Sequence, residues 1–167
     1  LGTKIIAFSN SGMMGDFNVW TSSDQGTSWS LATAIVSDPN FEIVNSKVVN
    51  GKLYIYGNDV YESSNGVNFS KIIKPVQFSL LNDVEYTGSK VVFSGIPQSV
   101  GTIGIGVLSG GTSIGFTAFP NGSQDSLSRL ASFGLDDLLV MSDALGISGK
   151  TATYLLMNYT VVGGSAN

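Results

Sequence analysis

The chain has 167 residues, 43% of them hydrophobic and 12% charged, with a formal net charge of −4. That length can bury the core of one domain without staples, and the absence of cysteine and histidine excludes disulfides, thiolate or imidazole metal centres and the usual general base. Eight scattered basic residues offer no stripe to neutralise phosphates, and no run of 18 apolar residues exists, so nucleic acid, membrane insertion and a bound cofactor are not expected.

In chain order, KIIAFSN from Lys4 reads as a short apolar strand after a start with neither a basic n-region nor a long h-region. NVWTSSDQGTSWS from Asn18 is a strand running into a turn, and WSLATAIV returns from it. FEIVNSKVVNG from Phe41 ends on Asn50-Gly51, a hairpin signal because both residues tolerate positive φ. KLYIYGN from Lys52, DVYESSNGVNFS from Asp59 and FSKIIKPV complete a second set. A third follows as FSLLNDVEYTGS from Phe78, KVVFSGI from Lys90 and IGVLSGGTSIGFT from Ile105. The last comprises LSRLASFGLD from Leu127, DLLVMSD from Asp137 and TYLLMNYT from Thr153. SQDSLSRLASFG alone has a passable 3.6 period, but its alignment with the other leads favours a strand.

The apolar strands starting at Lys4, Lys52, Lys90 and Asp137 recur at spacings of 48, 38 and 47 residues. A β-sandwich or solenoid has no reason to repeat lead, apolar strand, turn-bearing strand and outer strand in that order. The pattern predicts an all-β, β-propeller-like fold of about four four-stranded blades, approximately 1–38, 39–75, 76–121 and 122–167. The chain opens on the second strand of one unit and stops after the third of another. Either the termini complete one another's blade in a closed ring, or the sequence is a fragment of a larger propeller, which the start at Leu1 favours.

The stretch SSDQGTSW fills every signature position of S-x-D-x-G-x-x-W with Ser22, Asp24, Gly26 and Trp29. It resembles the Asp box, or bacterial neuraminidase repeat. The second unit carries a degenerate copy, ESSNGVNF, with Ser64 at the acidic position and Gly66 and Phe69 retained; the third keeps Gly111 and closes on Ile114. From the residues alone, Asp24 can accept turn amides, Gly26 can reverse the chain, Ser22 can support the same turn and Trp29 can cap the hairpin. The resemblance implies a structural hairpin between the third and fourth strands of a blade, away from an active-site face.

Resemblance to sialidases would also imply an arginine triad, a tyrosine nucleophile with a glutamate partner and an aspartate acid. Arg129 is the sole arginine, so the triad cannot form within this chain. General glycoside hydrolysis needs two facing carboxylates; the candidates are Asp83 with Glu85 and Asp136 with Asp137, each also readable as a solvated edge or turn. No acidic cluster has calcium-loop spacing, although Asp16, Asp24 and Asp38 could individually offer oxygen ligands. No catalytic or metal site is expected. The sequons at Asn68, Asn121 and Asn158 fit chance in a chain rich in Asn, Ser and Thr.

Binding remains. Tyr54, Tyr56, Tyr61, Tyr86, Tyr154, Tyr159 and Trp20 are aromatics suited to saccharide rings, though strand alternation sends about half inward. The expectation is a non-catalytic binding or structural module, extracellular or on a virion surface in the manner of an adhesin or tail fibre, recognising a glycan or a neighbouring protein. Open blade edges could add a homo-oligomer or larger assembly. The alternative is a fragment of a glycan-cleaving, sialidase-like propeller with its catalytic residues elsewhere.

Overall fold

Alternating apolar residues and glycine turns produce short antiparallel meanders throughout. The computed structural model describes residues 4–10, 17–35, 41–98, 102–120, 126–134, 137–144 and 152–158, and among these every regular element is a strand. The first sheet holds β1 (Ile5–Asn10), β2 (Phe17–Ser22) and β3 (Ser30–Ile35), paired in that order. The second holds β4 (Ile43–Val49), β5 (Lys52–Gly57), β6 (Val60–Ser63) and β7 (Ser70–Ile72). Asn50 and Gly51, at φ 48° and 74°, form the two-residue turn that sets Val49 opposite Lys52.

The third sheet runs β8 (Phe78–Tyr86), β9 (Val91–Pro97) and β10 (Thr102–Ser109), then β11 (Ser113–Ile114) and β12 (Thr117–Pro120). Both last strands lie along β10, β11 against Leu108 and Ser109 and β12 against Thr102 to Ile105. They amount to one outer strand broken at Gly115 and Phe116. The fourth sheet is β13 (Ser126–Gly134), β14 (Asp137–Ala144) and β15 (Ala152–Asn158). The segment with the helical period is thus strand β13, its pairing with β14 outweighing a weak amphipathic pattern. Among the described strands the sheets are not closed into a ring, since no ladder joins β15 to β1.

The sheets pack face to face in chain order because each strand sends alternate residues to opposite sides. Leu53 and Ile55 of β5 join Val19, Phe41 and Tyr61, with Ile6 and Phe8, in a core between the first two sheets. Their neighbours Tyr54 and Tyr56 enter the core between the second and third sheets, with Phe78, Leu81, Val84 and Phe93. There the Tyr54 and Phe93 rings meet edge to face at 5.7 Å. Val92 and Ile105 meet Leu130 and Leu138 in the core between the third and fourth sheets. Burial, with Glu62 nearby, pushes the Tyr54 phenol well above its ordinary range, so this ring stays neutral in the core.

Candidate functional site

The octapeptide that drew attention in the sequence forms the turn between β2 and β3. The buried Ser22 hydroxyl accepts the Gly26 N–H at 2.8 Å and donates to Asp24 Oδ1 at 2.7 Å. Asp24 then accepts the Ser28 N–H at 2.9 Å and the Ser28 hydroxyl at 2.5 Å. The Ser28 hydroxyl first, then the Ser28 N–H and the Ser22 hydroxyl, hold the Asp24 carboxyl down at about 2. Gln25 and Gly26 take φ of 62° and 91°, and the Trp29 indole N–H closes the loop onto the Gly26 carbonyl at 3.1 Å.

A second turn of the same chemistry joins β6 to β7, but its register differs from the one read in the sequence. Ser63, buried, accepts the Gly66 N–H at 2.8 Å and donates to Asn65 Oδ1 at 3.1 Å. Asn65 Oδ1 takes the N–H groups of Val67 and Asn68, each at 2.8 Å. The serine and acidic positions are therefore filled by Ser63 and Asn65, whereas Ser64, which the sequence register put at the acidic position, is exposed. The cause is length: Asn65 and Gly66 are adjacent, while Asp24 and Gly26 flank Gln25, the extra residue in the left-handed region. Gly66 is buried, and a Cβ there would stand 2.4 Å from Ile6 Cδ1, so this turn presses on the first sheet. Phe69 packs in the same core. In the third sheet Gly110 and Gly111, at φ 59° and 74°, make the β10 to β11 turn, and Ile114 is buried behind it.

The candidate carboxylate pair occupies the first strand of the third sheet. Asp83 is buried; its Oδ2 accepts the Leu130 N–H of β13 at 2.9 Å and its Oδ1 accepts its neighbour Val84's N–H at 2.8 Å. The Tyr56 hydroxyl of β5 and Lys47 Nζ of β4 stand at 3.5 Å, the outer limit of bonding. Glu85 takes Lys47 more closely, at 2.9 Å. One acid thus touches three sheets, and one lysine serves both acids. The signal missed in the sequence was Lys47: 36 and 38 residues separate it from its acidic partners, beyond any local pattern. Beside the pair, Asn82 is buried at the bulge between Leu81 and Asp83, and its side-chain amide has no bonding partner among the described residues.

Other candidates divide. Tyr54, Tyr56 and Tyr61 are core; the Tyr86 hydroxyl is turned onto the Gly88 carbonyl at 2.6 Å; Trp20 is half-buried with its N–H on the Ser9 hydroxyl at 3.0 Å. Asn68 is exposed. Asp16, Asp38, Asn121, Asp136 and Tyr159 lie outside the described residues, and nothing is described of the side chains of Arg129, Asp137, Tyr154 and Asn158. Among the described residues no three acidic side chains group as a metal site, and no helix is long and apolar enough to cross a membrane. A cleft of about 340 Å³ lies between β1 and β4, with Lys4, Ile6, Ser46, Lys47 and Val48 in its wall.

Consecutive antiparallel meanders, each packed on the next, make a propeller-like arrangement that is not closed among the described strands. No family model and no curated protein sequence matches it. Among solved structures it is similar to that titled Bacteroides ovatus Xyloglucan PUL GH43B, with a TM-score of 0.51 and 16% identity, covering 87% of this chain and 34% of that one. The chain therefore spans about a third of that protein, whose fold is a five-bladed β-propeller. The likeness supports a propeller-like arrangement of these sheets.

Proposed function

We propose that this chain is a non-catalytic binding or structural module of the β-propeller type, extracellular or on a virion surface, that recognises a glycan or a neighbouring protein. The observation that carries this reading is Asp83. An acid or base in glycoside hydrolysis must face the substrate across a cleft. Asp83 instead faces the Leu130 N–H of the fourth sheet and the Tyr56 hydroxyl and Lys47 of the second, in a buried setting suited to a clasp. The box likewise spends its polar atoms within its own turn, Ser22 on the Gly26 N–H and Asp24 on the Ser28 N–H and hydroxyl, as fasteners do.

A second reading is favoured by one observation, the propeller-like neighbour being a glycoside hydrolase. On that reading the chain is part of a glycan-cleaving propeller whose catalytic residues lie outside it. A glycan array on this chain, with product analysis on the longer polypeptide that the second reading requires, separates the two: capture by the chain with no new reducing ends from the longer polypeptide supports the module, and release of reducing ends by the longer polypeptide supports the enzyme. Absence of capture leaves the protein-docking form of the proposal.

A further inference from the structure

Asn-Gly occurs three times in the chain, at Asn50, Asn65 and Asn121, of which the last lies outside the described residues. The dipeptide carries a latent reaction. Glycine has no side chain to shield its main-chain nitrogen, so that nitrogen reaches the carbonyl carbon of the asparagine side chain whenever the turn opens far enough. The first two copies differ in what holds the reacting atoms. Asn50 and Gly51 are both exposed at the tip of the β4 to β5 hairpin. Among the described residues no hydrogen bond engages the Asn50 side chain or the Gly51 N–H, and a Cβ on Gly51 would meet nothing within 4 Å. Gly66, by contrast, is buried against Ile6, and its N–H is held by the Ser63 hydroxyl at 2.8 Å. Asn65 Oδ1 is held by the Val67 and Asn68 N–H groups, each at 2.8 Å, and by the Ser63 hydroxyl at 3.1 Å.

We infer that Asn50 is a site of spontaneous deamidation and that the box-type turn protects Asn65 from the same reaction. The Gly51 nitrogen bonds to Asn50 Cγ, the Cγ–Nδ2 bond breaks, and ammonia leaves with the proton that Gly51 gives up. Water then opens the resulting succinimide. Cleavage at Cγ gives aspartate; cleavage at the main-chain carbonyl gives isoaspartate, and neither route needs an oxidant or a reductant. The aspartate product suits the turn, because Asp-Gly is favoured in the same positive-φ hairpin as Asn-Gly, and it adds one negative charge. Isoaspartate does not. It puts an extra carbon into the main chain of a two-residue loop that sets Val49 opposite Lys52, and Val49 is part of the core between the second and third sheets. Isoaspartate at Asn50 therefore loosens this end of the hairpin. At Asn65 four hydrogen bonds must break before the reacting atoms meet.

The test holds the intact, folded chain in mildly alkaline buffer for weeks and maps its peptides by mass spectrometry, with electron-transfer fragmentation to tell isoaspartate from aspartate. Amide loss at Asn50 should run about tenfold or more faster than at Asn65, and the two rates should converge once urea unfolds the chain. Ser63→Ala, which frees the Gly66 N–H, should speed loss at Asn65 and leave Asn50 unchanged. Should that variant not fold, the folded and unfolded parent chains still decide the matter. Hydrogen exchange at Val49 and Lys52 should quicken in the isoaspartate fraction and stay at the parental rate in Asn50→Asp. Asn50 keeping its amide as long as Asn65 in the folded chain overturns the inference, as does an equally fast loss at both. Parental exchange in the isoaspartate fraction overturns the loosening of the hairpin.

Discussion

Replacing Asp83 with alanine tests whether the first strands are clasped or simply adjacent. The substitution removes the acceptor for the Leu130 N–H at 2.9 Å and for the Tyr56 hydroxyl at 3.5 Å, both in residues almost fully buried. The Leu130 N–H, a buried donor left without its acceptor, costs about 1–3 kcal/mol, and loss of the long Tyr56 contact adds under about 1 kcal/mol. Stripping Lys47 of one acidic neighbour adds less, because that ammonium is partly exposed and keeps Glu85. The expected loss is roughly 2–4 kcal/mol, most of it from the buried N–H left without its acceptor. For a chain of this size that lowers Tm by roughly 10 °C. Glu85→Gln is the control: its contact with Lys47 is closer but more exposed, so the expected loss is about 0.5 kcal/mol. Urea and thermal denaturation, read by both fluorescence and circular dichroism to verify a single transition, measure the difference. Asp83→Ala within about 1 kcal/mol of the parent would refute the clasp and return Asp83 to the list of reactive candidates.

Ser63→Ala should cost about 1–2 kcal/mol by leaving the buried Gly66 N–H unpaired, whereas Ser64→Ala should be silent within about 0.5 kcal/mol; equal effects in urea melts would refute the structural register. Gly66→Ala should destabilise more than Gly26→Ala. Both have positive φ, but only at Gly66 does the new methyl collide with Ile6, and overpacking of that kind costs about 1–3 kcal/mol beyond the backbone strain. The Asp24 carboxyl is held below its ordinary 3.8 at about 2, so its charged form favours the folded state. Its contribution is complete above pH 3.8 and is lost as pH falls through 2. The advantage of the parent over Asp24→Asn in acid titration should therefore be constant near neutrality and shrink between those two values. An advantage independent of pH would show that the bonds need no charge.

Strand positions were legible because alternation and glycine punctuation are local. Asn50-Gly51 marked its hairpin, and the strands starting near Lys4, Lys52, Lys90 and Asp137 lie at corresponding places in four sheets. The first turn was equally readable, since the partners of Asp24 lie within four residues of it. The second was misread by one position because motif spacing assumes a fixed turn length, while hydrogen bonding tolerates the shorter turn through Asn65. Asp83 was legible as half of a carboxylate pair and illegible as a clasp. Its partners Tyr56 and Leu130 lie 27 and 47 residues away, and alternation says which face a residue takes without saying what waits opposite.

The second and third sheets are fixed to one another twice. Near their first strands stand Asp83, Glu85, Tyr56 and Lys47; at the far side Ile73 pairs in parallel with Ser113, its N–H on the Thr112 carbonyl at 2.8 Å and its carbonyl on the Ile114 N–H at 3.0 Å. The first sheet leans on the second through apolar side chains around Val19, Ile6 and Leu53. Under a pulling force, contacts of that kind separate by peeling, one side chain after another, whereas two rows of bonds set apart resist together like rivets at both ends of a plate. Tension applied at the two ends of the chain should therefore strip the first sheet at low load and leave β4 to β12 as the last unit standing.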